Sequence, residues 1–389
     1  MLAPLCARPQ GEAVVRFAPA TGLVAQKDST AKVALGVRVQ NRAAFRRVEE
    51  NGSREDVVDF RVRRLRLKVE GFLLARRLEY KVQLGFSKQD LDLGDGSSVA
   101  APLLDAIVLY RLLPGTKVGL GQMRMPGGRL MINSDATWET PDRSVAVNGA
   151  SLDRDVGVHL FQDLALGSQR MHVRAAVTQG EGRAPGAGDN GLCYTGRLDW
   201  LPLGPFQGNG EFSEGDLRYE ESLKLAVAVA YSTDRRASRT RAQRGLPLPM
   251  GQQRTINTFF ADMHLKYRGW GWQNEFNRRL ADGSPLVLDP TGLVLAGVNE
   301  GWGFTSQLGR MLGERSQVVA MAAMVRHDPD VGRLYPDWDE ALLGYNRFLR
   351  GHAVKLQGAV GRSWTKGNAL NGPALGQWTA VIQLQWGIG

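Results

Sequence analysis

Arginine is the residue type best placed to do chemistry in this chain. Arg63, Arg64, Arg66 and Lys68 crowd the short stretch RVRRLRLK, and Arg124, Arg129 and Arg143 follow further on. A guanidinium presents a rigid fork of donors that fits carboxylate and phosphate oxygens. Set around a narrow aqueous passage, such groups replace part of an anion's hydration shell and supply fixed positive charge. Lys81 and Arg111 join the same candidate set. The competing reading is that these cations pair with Glu70, Glu79, Asp105 and Glu139 and stiffen a wall. A second basic run holds Arg235, Arg236, Arg239, Arg241, Arg244 and Arg254. It suits an electrostatic funnel for anions, a site for lipopolysaccharide phosphates, or a solvated loop.

Other chemistries find less support. His159, His172, His264, His327 and His352 stand isolated, and neither they nor Cys6 and Cys193 show ligand or redox spacing. No metal and no cofactor is expected, nor is a disulfide between two cysteines so far apart. A hydrolase on a membrane wall needs Ser, His and a polar partner converging, and no Ser shares a strand phase with a neighbouring His. Residues 119–128 have the glycine-rich composition of a phosphate loop, but no helix is expected to follow them. The basic runs lack the interleaved aromatics of single-strand nucleic-acid binders.

The elements that must position these arginines are strands. Charged residues are 23% and hydrophobic residues 43% of 389, ordinary values for a soluble protein. No stretch approaches the about 20 consecutive apolar residues of a membrane-spanning helix. Instead, Leu78, Tyr80, Val82, Leu84 and Phe86 alternate with Glu79, Lys81, Gln83 and Gly85. Such alternation puts an apolar set on one face of a strand and a polar set on the other, lipid outside and water inside. The pattern returns around residues 33–40, 65–70, 223–231 and 377–386. Strands are predicted near 31–47, 56–70, 78–86, 103–112, 117–123, 153–161, 170–179, 192–201, 222–231, 254–267, 270–279, 301–308, 317–327, 338–348, 352–364 and 376–386.

That gives about sixteen strands, an even number as a closed bacterial barrel requires. The fold class is therefore all-β, a transmembrane antiparallel barrel, in preference to a soluble β-sandwich. Short links alternate with long Gly/Asp/Pro-rich ones at 124–152, 233–253 and 281–300, as periplasmic turns and extracellular loops do. Residues 202–221 are the exception, a long link whose phase puts it on the periplasmic side. Residues 1–30 are expected to be a mobile periplasmic segment, with one barrel over 31–389 and loop 124–152 folded inward. Residues 1–11 lack the basic start and apolar stretch of a signal peptide, which suggests a processed, truncated or misplaced start.

Residues 61–91, followed by the LLDAIVLY, VGLGQMRMPGG, TPDRSVAVN and RDVGVHLF segments between 103 and 161, resemble the phosphate-selective porin O/P family. The resemblance implies a sixteen-stranded, usually trimeric porin whose third loop enters the lumen and whose arginines and lysines conduct anions. By that resemblance Arg63 and Arg64 fall on a paired arginine of the constriction, Arg143 on another constriction arginine and Asp105 on a lumen carboxylate. Where phosphate-specific members carry tyrosines, this chain has Arg66 and Arg124, and it shows no lysine cluster for the pore entrance. The residues themselves add that alternation slips at Arg63-Arg64, so a β-bulge there would turn both toward the pore.

With 49 Lys and Arg against 39 Asp and Glu, the net charge of +10 and pI near 9.8 point to an anionic partner. The function expected is passive diffusion of small anions, such as phosphate, across a bacterial outer membrane through a basic lumen. Its proposed constriction comprises Arg63, Arg64, Arg143, Arg66, Arg124, Arg129 and Asp105. The alternative is a structural or accessory barrel of a larger envelope complex, its lumen plugged.

Overall fold

The computed structural model describes residues 13–18, 22–50, 52–91, 101–183, 191–249, 251–367 and 374–388. One antiparallel sheet of eighteen strands dominates it, and sixteen of them close into a ring. In chain order these are β1 (Ala31–Glu50), β2 (Ser53–Leu73), β3 (Leu78–Gly85), β4 (Leu103–Leu113), β5 (Thr116–Arg124), β6 (Arg154–Leu166), β7 (Gln169–Thr178) and β8 (Cys193–Leu201). Then come β9 (Lys224–Ala237), β10 (Arg254–Tyr267), β11 (Trp270–Ala281), β12 (Gly301–Met311), β13 (Ser316–His327), β14 (Asp337–Arg350), β15 (Val354–Lys366) and β16 (Leu375–Ile388). Each pairs with the next, and β16 closes on β1 over Leu375↔Glu50 to Ile388↔Val37. Closure leaves no open edge within the membrane, where an unpaired backbone group is costly.

The two remaining strands, Val14–Ala18 and Gly22–Lys27, form a hairpin ahead of the ring. Its second strand pairs with residues 31–35 of β1, just beyond the point where β16 ends. Cys6 lies outside the described residues, and Cys193 is a buried free thiol.

Two solvents explain the side-chain pattern. In β8, Tyr194, Leu198 and Trp200 are exposed on the outer face while Thr195, Arg197 and Asp199 are buried inside. Val82 is likewise exposed outward, whereas Lys81 turns inward onto Asp105. Tyr110, Trp200, Tyr267, Trp270 and Trp386 stand exposed near the strand ends of one rim, the position of an interfacial aromatic girdle.

All sixteen predicted strands are present, and the largest difference lies at β9. It runs to Ala237 rather than 231, so Arg235 and Arg236 belong to a strand and not to a loop. Residues 233–237 carry no apolar outer set because a strand rising above the lipid has no reason to show one.

Candidate functional site

The site is built where one wall of the barrel meets the link between β5 and β6, residues 125–153, called L3 below. At β2 the ladder pairs Gln40 with Arg64 and Asn41 with Val62, leaving Arg63 as an extra residue. This is the bulge expected at the phase slip, and it buries Arg63 and Arg64 on the same inner side. Both reach L3. Arg63 Nη2 lies 2.6 Å from Asp142 Oδ1, and Arg42 Nη1 meets the other oxygen of Asp142 at 2.5 Å. Arg64 donates to Gln40 Oε1 at 2.7 Å and lies 3.2 Å from Asp135.

Asp135 collects three guanidiniums, those of Arg38, Arg64 and Arg66. Arg66 also pairs with Asp90 at 2.6 Å. Burial raises the cost of charge on Asp135, yet the surrounding Arg38, Arg66 and Arg64 hold its carboxyl well below the usual range. Asp142 is held low in the same way, burial being overcome by Arg63 and Arg42. Asp105 bridges Arg154 and Lys81, each at 2.7 Å.

Three further arginines have no carboxylate partner in an ion pair among the described residues. Arg124 Nη1 donates to the carbonyls of Asn133 at 2.6 Å and Ile132 at 3.2 Å. Arg143 donates to the carbonyls of Leu130 and Met131 and lies 4.2 Å from the Trp138 ring centroid, whose other neighbour is Arg64 at 4.7 Å. Cation–π contact of this kind contributes roughly 0.5–2 kcal/mol and leaves the charge in place. Arg174, on β7, stacks on Phe212 at 4.5 Å. Two cavities flank this cluster. One of about 190 Å³ touches Arg38, Arg66, Lys81, Asp105, Arg124, Arg154 and Arg174; the other, of about 210 Å³, touches Arg42, Arg46, Arg61 and Asp142. By strand register Arg63 and Arg64 lie between them.

Arg129 goes elsewhere. It opens α1 (Arg129–Ile132), a single turn, and crosses to the opposite wall to meet Asp199 at 2.8 Å and Asp262 at 2.7 Å. A helix thus does follow residues 119–128, contrary to expectation. Its N-terminus is already filled, since Leu130 N–H donates to Glu275. Lys68 and Arg111 pair with Glu70 and Glu79, the wall-stiffening reading. Among the described residues Glu139 pairs with no arginine and instead accepts from Gln307 and Gln317.

The rest of L3 is anchored on the far wall. α2 (Val145–Ala150) starts at Ser144, whose Oγ accepts from Val147 N–H and lies 2.6 Å from Thr305 Oγ1. Ala146 packs into a cluster with Met321, Ala323 and Val325, inward-facing apolar residues of β13. The link between β8 and β9, residues 202–223 and called T4 below, enters from the periplasmic end. Lys266 Nζ donates to Gly210 O at 2.8 Å, and Gly269 N–H to Asp216 at 2.7 Å. T4 and L3 touch through Glu139 N–H on Glu214 at 2.9 Å, and Gln307 Nε2 donates to both carboxylates.

Sequence reasoning named Arg63, Arg64, Arg66, Arg124, Arg143 and Asp105, which the fold brings to one region, and Arg129, which it does not. It missed the site roles of Arg42, Arg154 and Arg174 and of the acids Asp135 and Asp142. Strand phase could have found Arg174, which shares the inner face of β7 with Ala176 and Thr178. Nothing local marks Asp135.

A comparison with curated proteins gave no sequence match. Solved outer-membrane proteins share the fold. The channel DcaP of Acinetobacter baumannii aligns with TM-score 0.56 at 11% identity over 93% of this chain and 99% of its own. An anion-selective porin of Comamonas acidovorans gives 0.51 at 13% over 92% and 100%. A trimer form of OmpT of Vibrio cholerae gives 0.50 at 10% over 92% and 100%. Residues 33–214 match the family described as phosphate-selective porin O and P. That segment contains the bulge, L3 and most of the arginine cluster, and over it this bacterial outer-membrane barrel is similar to the phosphate-selective porin O and P family.

Proposed function

We propose that the barrel conducts small anions passively between L3 and the wall formed by β1–β7. The observation that carries the reading is the charge imbalance there. Asp135 is shared by three guanidiniums, of which Arg66 has a second partner in Asp90, and among the described residues Arg124, Arg143 and Arg174 are held by carbonyls or aromatic faces and by no ion pair. An anion entering this space meets net positive charge in a medium that screens it less than bulk water. Arg63, Arg64, Arg66, Arg124, Arg143 and Asp105 form the constriction in this reading, and Arg129 is withdrawn from it. Homotrimeric assembly in lipid and lipopolysaccharide is proposed with it.

A second reading has one observation in its favour. T4 occupies the lumen beneath L3, as a plugged accessory barrel would require. Single-channel recording in asymmetric salt separates the two. The wild-type protein should conduct with a reversal potential on the anion side, and the double variant Arg63→Glu/Arg64→Glu should move it toward cations, lowering anion preference by roughly fivefold or more. A double variant that inserts, conducts and keeps the wild-type potential would remove the pair from the pathway. Wild-type insertion without conductance would favour the plugged barrel.

A further inference from the structure

The cavity of about 190 Å³ beside L3 is chemically two-sided. Arg38, Arg66, Arg124 and Arg154 line it beside the carboxylates Asp105 and Asp135, and so do Ile107, Met123, Ile132 and Phe161. An apolar lining is at odds with a water-filled lumen. Ile107 stands on the inner face of β4 two residues beyond Asp105 and is 4% exposed. A hydrated inorganic anion gains nothing from such a wall.

Three of the residues that line it carry buried polar atoms with no hydrogen-bond partner among the described residues. These are Nε of Arg38, Nε of Arg124 and Nε2 of His159, a residue only 1% exposed. Native proteins rarely leave such atoms unmet. The other nitrogen of His159 is engaged by the backbone of Gly121, which leaves Nε2 as the ring atom without a partner. The walls therefore ask for three things in one molecule: oxygens for two guanidinium N–H groups, a short carbon skeleton and a hydroxyl.

We infer that this cavity is a discrete, saturable site for a small organic hydroxy acid. The carboxylate takes the free Nε–H donors of Arg38 and Arg124, the carbons lie against Ile107 and Met123, and the hydroxyl donates to His159 Nε2. At about 30 Å³ per water the space equals roughly six waters, so the ligand is of lactate size and not a drug-sized molecule. The inference rests on the anion-conducting reading and adds the class of anion.

The test titrates the chloride current of the full-length protein in planar bilayers with lactate, propionate and inorganic phosphate. Lactate and propionate differ only in the hydroxyl. Lactate should reduce the current saturably, with half-block at a concentration roughly fivefold below that of propionate, the effect of one hydrogen bond, and phosphate should need the highest concentration. His159→Leu should erase the difference between lactate and propionate, and His159→Gln, whose amide oxygen also accepts, should keep most of it. Equal block by lactate and propionate, strongest block by phosphate, or an unchanged lactate preference in His159→Leu would each overturn the inference. If the leucine variant does not fold, the wild-type series and the glutamine variant still decide. A cation-selective wild-type reversal potential would instead overturn the channel reading beneath it.

Discussion

Arg129 and Arg143 belong to the same loop, yet their surroundings are opposite. Arg129 completes a square with Arg197, Asp199 and Asp262, two guanidiniums against two carboxylates, all fully buried on the β8–β10 wall. Arg143 lies among carbonyls and the Trp138 face on the side where Arg63, Arg64, Arg66 and Arg124 outnumber their acids. The first arrangement neutralises charge and ties L3 to the wall, with Arg129 also holding the Glu211 carbonyl of T4 at 2.8 Å. The second keeps charge beside a cavity. Arginine count thus says little about local charge; what matters is how many carboxylates the fold delivers to each arginine.

The largest effect separating the two sides should come from Arg129→Ala. It strands Asp199 and Asp262 with one fewer partner in a buried site, at a cost on the order of 3–5 kcal/mol. Denaturant unfolding in detergent micelles should show that loss while the reversal potential stays near wild type. Arg124→Ala should do the converse, and a comparable stability loss there would erase the distinction.

Removing residues 206–218 tests whether T4 narrows the lumen or merely decorates its exit. The shortened barrel should conduct more, on the order of twofold, with anion preference retained because the arginine cluster is untouched. Unchanged conductance would mean that the ions pass T4 without meeting it.

The smallest effect concerns pH. Burial first, and then the neighbouring Glu214, push the Glu139 carboxyl up from its ordinary 4.5 to about 7. A raised folded-state value means that the protonated form favours the folded arrangement, fully below about pH 4.5 and progressively less as pH rises through about 7. The L3–T4 contact should therefore be tighter at pH 5 than at pH 8, read as slower hydrogen exchange in T4 at the lower pH after correction for intrinsic rates. Glu139→Gln should flatten that dependence; a dependence that persists in this variant would assign it to other groups.

Much of this was legible in the residues. The alternation around Lys81 and Val82 fixes which side chain meets water, and the broken alternation at Arg63-Arg64 locates the bulge to the residue. Residues 202–221 were legible as a long link at the periplasmic end, though not as a segment inside the barrel. β13 shows why: Val319, Met321, Ala323 and Val325 are apolar on the inner face, which breaks the simple pattern until α2 is seen to cover part of it.

By itself the sequence determined strand number, register phase and which face of each strand meets lipid, because two immiscible solvents act on every second residue and leave a local mark. Only the tertiary structure decided which arginines keep their charge unanswered. Asp135 lies 97 residues from Arg38, and Asp142 lies 79 from Arg63. Those pairings depend on where a loop lands inside a closed ring, and no spacing along the chain encodes that distance.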